Sequence, residues 1–109
     1  MKWIKCIIRP GKVDDVIRAL SSVASGMTVS EARGYGRQKG QPVLYHGVEY
    51  QVTLLPKIAI EIVSDDNRVD DVVRTLIKTA RTGNIGDGRI FIYPVEAAYH
   101  VRTGFMDQD

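Results

Sequence analysis

An α+β fold with element order β-α-β, β-α-β follows from three observations. An octapeptide pattern occurs twice with two conservative changes, an apolar strand flanks each copy on either side, and the chain of 109 residues is one domain long. That order is the split βαβ or ferredoxin-like arrangement, βαββαβ, an antiparallel four-stranded sheet with both helices on one face. Residues 1–109 are read as a single domain.

The first strand is Trp3-Ile4-Lys5-Cys6-Ile7-Ile8, stopped by Pro10-Gly11. Val13-Asp14-Asp15-Val16-Ile17-Arg18-Ala19-Leu20 then returns as Val69-Asp70-Asp71-Val72-Val73-Arg74-Thr75-Leu76. In each copy the apolar residues fall at i, i+3, i+4 and i+7, one stripe of an amphipathic helix. The paired aspartates lie near each N-terminus, where the helix dipole favours negative charge. These patterns predict helices near 12–24 and 67–80. A strand over 27–35 follows the first helix. Ile58-Ala59-Ile60-Glu61-Ile62-Val63 precedes the second and ends at the capping cluster Asp65-Asp66-Asn67. A last strand spans 89–95. Alternate residues on both faces of the strands at 3–8 and 58–63 are apolar, so one copy cannot cover both, and an oligomer that packs sheets together is expected.

The stretch from Gly36 to about Thr53 exceeds what a hairpin connection needs, and loops beyond about 12–15 residues are usually functional. It holds Arg37, Gln38, Lys39, Tyr45, His46, Glu49 and Tyr50, and reads as a mobile arm that orders on binding. Thr82-Gly83-Asn84-Ile85-Gly86-Asp87-Gly88-Arg89-Ile90-Phe91 is a glycine-punctuated turn feeding an aromatic strand. Its bare backbone can cradle an anion, with Thr82, Asp87 and Arg89 around it. The spacing is neither the P-loop nor the dinucleotide fingerprint, so another piece of protein must finish the site. Gly34-Tyr35-Gly36-Arg37-Gln38-Lys39-Gly40 offers a guanidinium, an amide and an ammonium, a set suited to a phosphorylated or dicarboxylate ligand. Alone it reads equally well as a basic solvated turn; beside the second glycine loop it favours a nucleotide or other polyanion.

Lys57 and Glu61 stand four apart on one strand and share a face. Glu61, inside an apolar strand, needs a basic neighbour or a ligand hydroxyl as partner. Tyr45 and Tyr50 are either partner anchors or packed onto their own loop. His46 and His100 lack a second ligand at metal-binding spacing. Arg102 lies beyond the second βαβ unit, as a contact to an adjacent subunit or in a frayed tail. A net charge of +2 with scattered basic residues argues against nucleic acid. The lone Cys6 reads as a buried hydrophobe. No stretch is long enough to insert into a bilayer and no signal-peptide core precedes the first strand, which points to the cytoplasm. No nucleophile–base pair or carboxylate dyad emerges, so catalysis is not indicated.

The chain resembles the PII nitrogen-regulatory signal-transduction proteins over nearly its whole length. Thr82 through Ile92 resembles the family's C-terminal signature. Gly34-Tyr35-Gly36-Arg37-Gln38-Lys39-Gly40 and Leu55-Pro56-Lys57 resemble the start and end of its T-loop, and Val101-Arg102-Thr103-Gly104 its C-loop. The resemblance implies a ferredoxin-like homotrimer with ATP and ADP competing in three clefts between subunits. Gly86, Asp87, Gly88 and Arg89 would hold phosphates, with Gly36, Arg37 and Gln38 alongside. Glu61 and Val63 would lie near the adenosine, and Thr28, His100 and Arg102 would come from the neighbouring subunit. With ATP bound, Gln38 would ligate a magnesium ion shared with 2-oxoglutarate. Lys57 would meet that effector's far carboxylate, and Lys39 and Gly86 would complete its site. The T-loop, about 37–53, would engage an ammonium transporter or a nitrogen-assimilation enzyme.

Departures from the family pattern are specific. Tyr45-His46-Gly47-Val48-Glu49-Tyr50 replaces the usual Tyr-Arg-Gly-Ala-Glu-Tyr, with Tyr50 at the tyrosine that many relatives have uridylylated. His100 stands where arginine is common, so phosphate binding should weaken between about pH 6 and pH 8 as the imidazole loses its proton. The turn at Ser25-Gly26 is one residue short of the common pattern. A PII-like regulator of a different transporter or enzyme, with another small-anion effector, is the nearest alternative. An RNA-binding module would need paired stacking aromatics, and Phe91 and Tyr93 stand in one strand without a matching pair. A phosphate-transferring enzyme would need a convergent acid and base.

Overall fold

The computed structural model describes residues 1–35, 43–45, 48–50 and 54–107, with the backbone alone described at 43–45 and 48–50. β1 (Lys2–Ile8) leads through a 3₁₀ turn at Pro10–Lys12 into α1 (Val13–Leu20), followed by β2 (Thr28–Tyr35). β3 (Val43–Tyr45) and β4 (Val48–Tyr50) come next, then β5 (Leu54–Ser64), a 3₁₀ turn at Asp66–Arg68, α2 (Val69–Ala80) and β6 (Gly88–Pro94). The main sheet has order β2-β5-β1-β6 and is antiparallel throughout, as the repeated βαβ pattern requires.

Direct cross-strand partners share a face, so the register sorts the side chains. Ile4 faces Ile62 and Ile92, and Cys6 faces Ile60 and Ile90. This even-numbered set lies under the helices, where Ile4, Ile8, Ile60, Ile62, Val16, Leu20, Val72 and Leu76 are buried with Cys6. Burial pushes the Cys6 thiol up to about 11. The opposite face carries Trp3, Lys5, Thr28, Lys57, Glu61, Val63, Arg89, Phe91 and Tyr93. Trp3 and Tyr93 make an edge-to-face pair with centroids 5.3 Å apart. Both stay over a third exposed, at 36% and 39%, and Val63 is 51% exposed. The apolar second face expected from the alternation is therefore present and open.

Four details differ from the sequence reading. α1 ends at Leu20, short of 24: Ser21 and Ser22 turn their hydroxyls back onto the carbonyls of Arg18 and Ala19. The amides of Val23 and Ala24 both fall on Leu20 O. Short hydroxyl side chains compete with the helical ladder in this way. The cluster at Asp65 makes no side-chain cap; the Asp66 carboxylate instead accepts the N-terminal ammonium at 2.7 Å. That bond holds the Asp66 carboxyl below its usual range. β5 starts at Leu54, ahead of 58, because β2 pairs with it as far as Tyr35 and Leu54. Finally, the 36–53 stretch read as a loop contains a β3–β4 hairpin, Val43 opposite Tyr50 and Tyr45 opposite Val48.

Candidate functional site

The glycine loop is built around Asp87. α2 stops at Ala80, and Arg81 turns to extended backbone while its amide still reaches Ile77 O. The next residues wrap the Asp87 carboxylate. Thr82 N–H and Gly83 N–H each donate to Oδ2 at 2.8 Å, and the Thr82 hydroxyl donates to Oδ1. Arg9, just past β1, donates Nε to Oδ1 at 3.1 Å and Nη2 to Ile85 O at 2.8 Å. The Thr82 hydroxyl and amide bonds, with Gly83 and Arg9 behind them, hold the Asp87 carboxyl far below the usual carboxylate range. At Gly88 φ is +117°, and a Cβ there would lie 1.7 Å from Ile7 O. Only glycine lets β6 begin against β1 at this point.

Lys57 ties this loop to the end of β2. Its Nζ donates to Gly86 O at 2.8 Å. Its stem packs so closely under Gly34 that a Cβ there would sit 3.2 Å from Lys57 Cγ. Burial, then the nearby Arg9 charge, lowers the Lys57 pKa, with Asp87 opposing. The end of β2 at Gly34 thus lies beside the glycine loop. Gly36, Arg37, Gln38 and Lys39 themselves lie outside the described residues, as do His46 and the side chain of Tyr50.

Further along the same face, Thr28 stands opposite Glu61 and Val63 opposite Trp3. These four line one groove with Met27 and Asp107. Glu61 has the basic partner expected of it: Lys5 Nζ lies 3.9 Å from Oε1. Arg89 is on this face too, opposite Ile7. The C-terminal segment is an ordered hairpin and not a frayed tail. Tyr99 bridges Met106, His100 N–H donates to Phe105 O at 2.9 Å, and Gly104 N–H donates to His100 O at 2.7 Å. His100 Nε2 contacts Asp107 Oδ1 at 2.7 Å, and Arg102 is exposed at the tip.

The structure therefore brings Lys57, Gly86, Asp87 and Gly88 together, and separately gathers Thr28, Glu61 and Val63. No hydrogen bond or ion pair among the described residues joins His100 or Arg102 to the glycine loop. Asp87 corrects the expectation of a carboxylate offered around bare backbone: its side chain is taken up by Thr82, Gly83 and Arg9, and its own amide donates to Asn84 O at 3.3 Å. Sequence reasoning missed Arg9 and Asp107. Arg9 was accessible through register, since Ile8 opposite Gly88 puts the next residue of β1 beside Asp87.

Comparison with known proteins places the chain beside a described family. The family described as Nitrogen regulatory protein P-II matches residues 1–105. A protein named Nitrogen regulatory protein P-II from Haemophilus influenzae is 51% identical over 110 residues, covering 100% of this chain and 98% of that one. Its namesake in Pasteurella multocida is 52% identical, with the same coverage. Nitrogen regulatory protein P-II 1 of Escherichia coli K12 is 54% identical over 108 residues, covering 98% of this chain and 96% of the relative.

Proposed function

This chain belongs to the nitrogen regulatory protein P-II family, and from that membership we propose that it senses ATP, ADP and 2-oxoglutarate. At the coarser level it is a nitrogen-signalling regulator and not an enzyme. In the proposed reading three copies form a trimer in the cytoplasm and bind nucleotide between subunits. The main chain of Gly86, Asp87 and Gly88, with Arg89, takes the phosphates of ATP or ADP, while Glu61 and Val63 take the nucleoside. Thr28, His100 and Arg102 act from the neighbouring copy. Gly36, Arg37 and Gln38 complete the phosphate site, and the 37–53 segment engages an ammonium transporter or a nitrogen-assimilation enzyme.

The contact of Lys57 Nζ with Gly86 O, 2.8 Å, supports this reading most. It sets an ammonium between the two glycine-rich segments, where a dicarboxylate's far end could exchange a carbonyl for a charge-assisted partner. Lys39 and Gly86 would bind the rest of the effector. Among the described residues no group of three carboxylate, imidazole or thiolate side chains could hold a metal. A magnesium ion would accordingly depend on Gln38 and on phosphate and effector oxygens, the hard-oxygen set that ion prefers. The half-exposed sheet face around Trp3, Val63 and Tyr93 supports association.

Calorimetry tests the reading. 2-Oxoglutarate should bind with magnesium and ATP present and fail to bind in their absence. Dicarboxylate binding indifferent to ATP would sink the shared-metal arrangement.

A further inference from the structure

His100 and Asp107 form a diagonal pair across the C-terminal hairpin. Tyr99 bridges Met106, so His100 lies opposite Phe105 and Asp107 one step beyond on the same face. Asp107 is fixed from behind, its amide donating to Ala98 O at 2.7 Å, and its carboxylate meets His100 Nε2 at 2.7 Å. Other carboxylates of the region have different occupations: Glu61 faces Lys5, Asp66 the N-terminal ammonium, and Asp87 the glycine loop. Asp107 alone among them sits on a residue read above as a phosphate contact. Arg102, two residues from His100, has no ion pair among the described residues.

We propose that Asp107 is an internal stand-in for phosphate: it occupies His100 until a nucleotide's phosphate displaces it, and so sets affinity for nucleotides whose phosphates reach the hairpin. The proposal rests on the reading of His100 and Arg102 as phosphate contacts from a neighbouring copy. The pair is well suited to displacement. His100 and Asp107 side chains are 58% and 41% exposed, and exposed ion pairs are weak. A polyphosphate can engage Arg102 as well as His100, whereas Asp107 engages only the histidine.

The test is a double-mutant cycle on the full chain, titrated with ATP and, as a ligand without phosphate, adenosine. Asp107→Asn keeps the backbone bond to Ala98 and removes the charge. It should tighten ATP binding roughly two- to fivefold and leave adenosine binding unchanged. In a His100→Gln background the same substitution should change nothing. An ATP affinity unaltered by Asp107→Asn, or an equal gain in both backgrounds, would overturn the proposal, the latter outcome reflecting only the loss of a negative charge. If the unsubstituted protein binds no ATP at all, the nucleotide reading itself fails, and this inference falls with it.

Discussion

The glycine loop and the C-terminal hairpin both centre on an aspartate beside a nitrogen-bearing side chain, yet they are supported in opposite ways. Asp87 is held by Thr82, Gly83 and Arg9, and Gly86 by Lys57. Arg9, just past β1, and Lys57 of β5 thereby converge on the six residues from 82 to 87. Among the described residues the hairpin's hydrogen bonds run between its own residues, from 98 to 107, with one exposed side-chain pair, His100 to Asp107. A loop braced by the rest of the domain can be preorganised in a single copy, so binding there costs little ordering. A hairpin whose described hydrogen bonds stay within itself can be positioned by what it docks against. The difference matches the proposed division of labour, with the loop holding phosphates in its own subunit and the hairpin reaching into the next.

The sharpest way to break this comparison is to make one substitution in both places. Gly88 and Gly104 both have positive φ, +117° and +73°. At Gly88 a Cβ meets Ile7 O within the central sheet at 1.7 Å, whereas at Gly104 nothing lies within 4 Å. Gly88→Ala should therefore destabilise by more than about 4 kcal/mol, or prevent folding. Gly104→Ala should cost only the left-handed backbone strain, about 1 kcal/mol. Urea denaturation of the two variants decides it, and equal losses would mean that the hairpin is as deeply embedded as the loop.

Between those extremes lies Asp87→Asn, which turns one acceptor oxygen into a donor facing other N–H groups. ATP affinity should fall roughly tenfold while the fold persists. The same carboxylate predicts acid sensitivity. Asp87 and Asp66 both have depressed folded-state pKa values. Their stabilising contribution is complete above the unfolded-state value, about 3.9, and is lost as pH falls below it toward the folded-state values. Thermal melts should therefore drop as pH falls below about 4, and less steeply in Asp87→Asn.

The sequence made the braced region far more legible than the free one. The repeated Val-Asp-Asp-Val pattern located both helices, apolar alternation located β1 and β5, and the βαβ order placed β2 and β6 after them. What escaped was nonlocal or competitive. The shortening of α1 depends on Ser21 and Ser22 choosing backbone carbonyls over solvent, a near-balanced contest. Asp66 serves the chain's own ammonium 65 residues away, which no capping motif announces. Arg9 became a loop residue only once β1 and β6 were in register. The β3–β4 hairpin lies in a stretch whose glycines and charges mask its short apolar alternation. The hairpin from 98 to 107 has little periodicity to read, and its His–Asp contact depends on a bridge between Tyr99 and Met106.

Trp3, stacked edge-on against Tyr93 on the open sheet face, is the chain's only tryptophan. Its indole emission therefore reports on that face without a label. If other copies cover the face, dilution should shift the emission to the red as water reaches the ring, giving association and dissociation an optical readout built into the first strand.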